Sequence, residues 1–268
     1  MSLFDDASSA AQFLQRSPLL AMLRDSITVT SQADRADIAR GLTAAIRDYY
    51  VHLPLKRSSL GIDPVRELEL LVDDVAYIPT EDPFFARVIE ILCRMRDRHT
   101  TLLLPAPRAQ AIAFLPFAVE SYFDGAKQRH LIVSKLLCDV GETDFAPGVE
   151  LTHWNGMSVR RHVEDFSWQT DGANPFARIA LALRTLTVRP LGYMVPPAED
   201  WVTLTYFTEK GIKSIALPWR VYFADGSSGA GTAARTLIGA SARTRAARSQ
   251  RPNECCSCSA RAGRRSRR

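Results

Sequence analysis

Ten arginines near the C-terminus set the net charge of this 268-residue chain. Residues 224–268 carry +8, so the other 223 residues carry −3, the difference from the overall +5. The body is therefore a mildly acidic protein of one or two domains, long enough to bury a core. No stretch approaches the ~18 consecutive apolar residues of a membrane span, and the acidic start M-S-L-F-D-D has no basic or apolar leader region. The expected location is the cytoplasm, with no membrane partner.

Residues 1–105 are read as a helical N-terminal region. Ser31 and Asp34 resemble a capping signal, after which Ile38, Leu42 and Ile46 recur at helical spacing, followed by Tyr49 and Tyr50. Leu53-Pro54 is expected to close that helix. Asp63-Pro64 opens a second, carrying Leu68, Leu70, Leu71 and Val75 and ended by Pro79. Asp82-Pro83 opens a third, whose apolar face is Phe84, Phe85, Val88, Ile89, Leu92 and Met95. It runs out at Arg96-Asp97-Arg98-His99-Thr100, and residues 101–104 turn extended until Pro105 and Pro107.

Residues 106–223 are read as a mixed β module. Strands are expected from Leu115, over 130–136 after an Asp124-Gly125 turn, over 149–154, over 201–207 and over 215–221. In the third, Val149, Leu151 and His153 alternate with Glu150, Thr152 and Trp154. Asn155-Gly156 supplies the positive-φ pair of a tight turn, with a short helix over 158–166 beyond it. A second helix is expected over 176–186 after a turn at 171–174, then a proline-rich loop from Arg189 to Pro197. Val202, Leu204 and Tyr206 share one face of the next strand, and Glu209-Lys210-Gly211 is a hairpin turn. The fold class is α+β.

Residues 224–268 change character. Ala, Arg, Ser and Gly make up 32 of the 45, and no aromatic follows Phe223. Such a segment buries too little to offset its ordering entropy, so a disordered tail is expected. The composition fits a GC-rich gene read out of frame, with a break near Phe223–Gly226. The rival is a genuine basic tail that binds phosphate non-specifically, although it has no lysine and no stacking aromatic. Cys93 and Cys138 read as buried thiols. Cys255, Cys256 and Cys258 lack a second ligand pair, so no metal site and no cofactor are expected.

Four segments together resemble the front half of tail-specific (C-terminal-processing) serine peptidases of the tricorn-related branch. They are R-M-R-D-R-H-T-T-L at 94–102, L-P-F-A-V-E at 115–120, P-G-V-E-L-T-H-W-N-G at 147–156 and E-D-W-V-T-L-T-Y at 199–206. The resemblance covers about residues 30–222. It implies a PDZ-like peptide-binding module behind the helical region, with His99 as general base to a distant serine. It also implies that a peptide's C-terminus is held at Leu115, Pro116, Phe117, Ala118 and Val119, with Phe117 flooring a small pocket. Expected partners are peptides or unfolded-protein C-termini, without specific nucleic acid. Asp97 is expected to cap the helix or pair with a neighbouring arginine. The family's nucleophile belongs on a further domain. The turn at 225–231 lacks the strand and helix that would hold a serine, so the chain reads as lacking that domain. The alternatives are a PDZ-like module that binds peptides without cutting them and, more weakly, an Arg-tailed nucleic-acid binder.

Overall fold

The computed structural model describes residues 7–26 and 30–223. The Arg-rich tail, the turn at 225–231 and the three clustered cysteines lie outside them. Among the described residues, eight α-helices and nine strands follow one another as a helical region and a β-rich module.

The helices are α1 (Ala7–Arg16), α2 (Leu20–Ser26), α3 (Gln32–Tyr49), α4 (Leu53–Leu60), α5 (Pro64–Asp74) and α6 (Glu81–Arg94). Ser31 caps α3 reciprocally. Its hydroxyl accepts from the Asp34 amide, and the Asp34 carboxylate accepts from the Ser31 amide. An aspartate thus completes the box where Glu or Gln is usual. Leu53-Pro54 does not end the helical run but opens α4. Proline's missing N–H costs nothing in a first turn, and α4 stops at Gly61 with φ 63°. The Asp63 side chain caps α5 through the Arg66 amide. That helix ends at Asp74 in a short 3₁₀ turn, before Pro79 is reached, and Leu70 on it faces solvent. Helix α6 begins at Glu81, two residues ahead of Pro83. Phe84, Phe85, Val88, Ile91, Leu92 and Met95 pack against Leu68, Leu71, Val75, Ala39 and Ile46 to form the helical core.

The module contains β1 (Ala111–Phe114), β2 (Phe117–Phe123), β3 (Arg129–Leu136), β4 (Glu150–Trp154), β5 (Met157–Ser158), α7 (Val159–Ser167), α8 (Pro175–Thr185), β6 (Val188–Pro190), β7 (Trp201–Thr208), β8 (Gly211–Pro218) and β9 (Arg220–Phe223). One sheet runs β2-β3-β4-β7-β8, with β5 paired on β4. A smaller sheet runs β6-β1-β9. Val202, Leu204 and Tyr206 turn one fully buried face inward. Strict alternation fails on β4. A register shift against β7 between Leu151 and His153 lets Leu151 and Trp154 both face the core while His153 stays exposed. Asn155 and Gly156 take φ 49° and 80°, as the tight turn requires. The Asn155 side chain accepts from the Thr203 amide at 2.7 Å, locking that turn to β7. Asn174 caps α8 through the Ala177 amide.

Two features join helices to module. Helices α1 and α2 pack on the module rather than on α3–α6. Leu20 and Leu23 lie in the module's core, and Phe13 packs on Phe114 and Tyr222. The second feature is an ionic cluster. Glu81 and Asp82 both meet Arg108, at 3.2 and 2.5 Å. Asp82 also takes Arg24 at 3.0 Å, and Arg24 continues to the Asp200 carboxylate and the Pro197 carbonyl. The amide of Thr30 donates to Glu81 at 2.7 Å.

Candidate functional site

The Asp-x-His-Thr motif lies on the turn that ends α6. Arg96 takes φ 51° there, and its carbonyl accepts from the Lys56 ammonium at 3.3 Å. Asp97 is the hub of the turn. One carboxylate oxygen accepts from the Tyr50 hydroxyl at 2.7 Å and the Thr100 hydroxyl at 3.2 Å. The other accepts from the His99 amide at 3.0 Å. Asp97 therefore pairs with a tyrosine, a threonine and a backbone amide, not with a neighbouring arginine as its sequence context suggested. Burial works to raise its pKa, and these donors outweigh burial and hold it below the ordinary aspartate value. Tyr50 responds in the opposite sense: burial first, and then the Asp97 carboxylate, push its phenol well above the usual range.

His99 projects from this turn with its side chain 98% exposed, Nδ1 lying 3.5 Å from Asp97 Oδ1. That separation is just beyond a good hydrogen bond. Its Nε2 edge faces no described hydrogen-bond partner, so the ring is open to an incoming proton donor.

The other candidate residues lie at the entry to β2. Leu115, Pro116 and Phe117 are buried. The Leu115 amide donates to Thr187 at 2.9 Å and the Phe117 amide to Leu115 at 2.8 Å, and Pro116 has none to offer. The Phe117 ring sits edge-on to Phe145 in the core and floors no open pocket. The expected amide cradle at these three positions is thus already filled by the chain's own carbonyls. Ala118 and Val119 remain, on the outermost strand of the larger sheet, with a register shift against β3 between them. No hydrogen bond among the described residues joins His99 to any of these five.

The comparisons with known proteins bear on both parts. The PDZ domain family model matches residues 111–226. The β-rich module is PDZ-like. No curated protein matches the sequence. Mature CPAF superposes with a TM-score of 0.54 at 18% identity, covering 71% of this chain and 35% of CPAF. CPAF complexed with lactacystin gives 0.55 at 17% identity over the same shares. This chain thus spans about a third of the CPAF chain, and at such identity the likeness is one of fold. The photosystem II D1 C-terminal processing protease covers 71% of this chain at 13% identity, but its TM-score of 0.25 carries no argument.

Sequence reading missed the Asp97 hub because Tyr50 is 47 residues away. A tyrosine ending an apolar helix face, with a hydroxyl to satisfy, was the available signal. It also missed Arg189, which is buried between Phe166 at 4.2 Å and Trp219 at 5.1 Å, with Glu199 acting on it only at a distance rather than as an ion-pair partner. Burial brings its pKa down to about 10. Among the described residues no cluster of three or more metal-ligating side chains occurs, and no helix is long and apolar enough to cross a membrane.

Proposed function

We propose that this chain provides the C-terminus-capturing and general-base parts of a serine peptidase of the tail-specific, tricorn-related kind, with the nucleophile carried outside the described residues. The observation that supports this most is the Asp97–His99 turn. A fixed carboxylate stands beside one nitrogen of an imidazole whose other nitrogen is open. In acyl transfer that imidazole takes the proton of a serine hydroxyl as its oxygen attacks the scissile carbonyl, then returns the proton to the leaving amine. Asp97 orients the ring and stabilises the imidazolium. The 3.5 Å separation is of the kind that tightens when a reacting partner binds.

Peptide capture is assigned to β2. It ends the strand order of the larger sheet, so an extended peptide adds there as a further strand, using main-chain hydrogen bonds. Ala118 and Val119 are the expected positions that lie on that strand beyond the self-bonded entry at Leu115–Phe117. A second reading, capture without cleavage, draws on the family match, which falls on the module alone.

The test is incubation of the full chain, and of its His99→Ala variant, with an unstructured protein. Mass spectrometry of new C-termini is read beside titration of free-acid and amidated peptides. Carboxylate-dependent binding is expected, and any cleavage must vanish with His99→Ala. Cleavage that survives His99→Ala overturns the assignment of the base. Binding that ignores the carboxylate overturns C-terminal capture.

A further inference from the structure

A cavity of about 110 Å³ opens where the end of α6 meets the PDZ-like module. Its floor is apolar, formed by Ile89 and Leu92 of α6, Leu181 of α8, and Met194 after β6. Arg98, Arg184 and Asp171 stand at its rim. The Tyr193 side chain lies among these three charges. Burial raises its pKa most, Arg98 and Arg184 pull it down and Asp171 pushes it up. Neither Arg98 nor Arg184 forms an ion pair with any described residue. The Arg178 guanidinium, one turn before Leu181 on α8, is buried over the Trp168 ring at 4.4 Å and faces the charge of Arg96. Its Nε and Nη1 have no hydrogen-bond partner. Two guanidiniums, Arg98 and Arg184, thus share the cavity lining with one carboxylate, Asp171, while Glu90 acts on the lining thiol of Cys93 from behind.

We propose that this seam cavity binds the last residue of a polypeptide that ends in an aliphatic side chain, with the side chain on the apolar floor and the free carboxylate at Arg98 and Arg184. The inference rests on the reading that this chain handles polypeptide C-termini, and it places a recognition point away from the β2 edge, beside the turn that carries His99. Size selects the occupant. A dry cavity of roughly 150 Å³ admits a benzene ring, so about 110 Å³ suits one Val, Leu or Ile side chain. Charge selects the head group. Two unpaired guanidiniums donate charge-assisted hydrogen bonds to one carboxylate, while Asp171 repels a second negative group. Arg98 and Thr100 line the cavity and flank His99 in the chain, so an end bound here lies next to the proposed general base.

The test uses the full chain and a peptide whose C-terminal residue is photoleucine, with adducts located by mass spectrometry after irradiation. Adducts on Leu102, Leu181 or Tyr193 are expected. The double variant Arg98→Gln/Arg184→Gln should weaken binding about tenfold at physiological salt, while Arg161→Gln, a solvent-exposed control, leaves it unchanged. Adducts confined to residues 117–123, with affinity unmoved by the double variant, overturn the seam site and leave capture at the β2 edge standing. Adducts at neither place, with no binding of the free-acid peptide, overturn both.

Discussion

The Tyr50 hydroxyl donates to Asp97 Oδ2 across 2.7 Å, tying the end of α3 to the turn that carries His99. A hydrogen bond to an ionised, largely buried carboxylate is stronger than a neutral one. Tyr50→Phe is therefore expected to cost about 1–2 kcal/mol, and Asp97→Ala, which strands three donors, about 2 kcal/mol or more. His99→Ala, which removes an exposed ring, should stay within about 0.5 kcal/mol. Urea unfolding midpoints of the three variants check this order. An equal loss in all three would mean that Asp97 does not organise the turn.

The ionic cluster between helices and module yields a second expectation. Arg108 and Glu81 both have side chains only 8% exposed. Removing one partner of such a pair leaves an uncompensated buried charge, at about 3–5 kcal/mol. Arg108→Met should show a loss of that size, and the double variant Arg108→Met/Glu81→Gln should recover part of it. A single variant that unfolds at the wild-type urea concentration would show that the cluster is solvated in solution.

These two cases show which features are legible in sequence. Caps at Ser31 and Asp63 are read easily because each is closed by an amide three residues on, whereas Asn174, expected only as the end of a turn, caps α8 in the same way. The β7 face is equally plain, since strict alternation is a local property. Strands β1 and β6 are not. Four and three residues long, they exist through pairing with each other across distant sequence, as Ile112 faces Pro190. Leu53-Pro54 misleads because proline both stops one helix and starts the next. At the site, His99 is visible from its motif. The filled amides of Leu115 and Phe117 depend on Thr187 and on local turn geometry that no pattern of residue types specifies.

Acid should destabilise the protein partly through His162. Its ring stacks on Trp154 at 4.9 Å. Burial, and then the charge of Arg189, lower its pKa from 6.5 to about 4. The folded state thus holds the neutral ring while the unfolded chain takes up a proton near pH 6.5. This group has no effect above that pH. Between pH 6.5 and about 4 the unfolded state binds more protons, and stability falls by about 3 kcal/mol in all. Below about 4 its effect is constant. His162→Phe keeps the stacking and should flatten that part of the pH profile, as followed by thermal unfolding. An unchanged profile would show that the imidazole is charged in the fold.

Gly172 sits where α7's connection meets α8. A Cβ there would lie 2.5 Å from the Arg178 amide nitrogen and 2.8 Å from the Ala177 carbonyl carbon. Both are backbone atoms in the first turn of a helix and cannot swing away. Gly172→Ala should cost about 3 kcal/mol, whereas Ala173→Ser, on an exposed neighbour, should cost less than about 0.5 kcal/mol. Equal urea midpoints for the two would mean that the loop relaxes freely.

Titration calorimetry of the full chain tests the central claim most directly. A peptide with a free aliphatic C-terminus and its amidated twin are compared at physiological salt. The account predicts a Kd of about 10–100 μM for the acid and binding at least about fivefold weaker for the amide, because charge-assisted hydrogen bonds to the carboxylate are lost. Equal affinities, or no heat from the free acid at millimolar peptide, would contradict the claim that this chain recognises polypeptide C-termini.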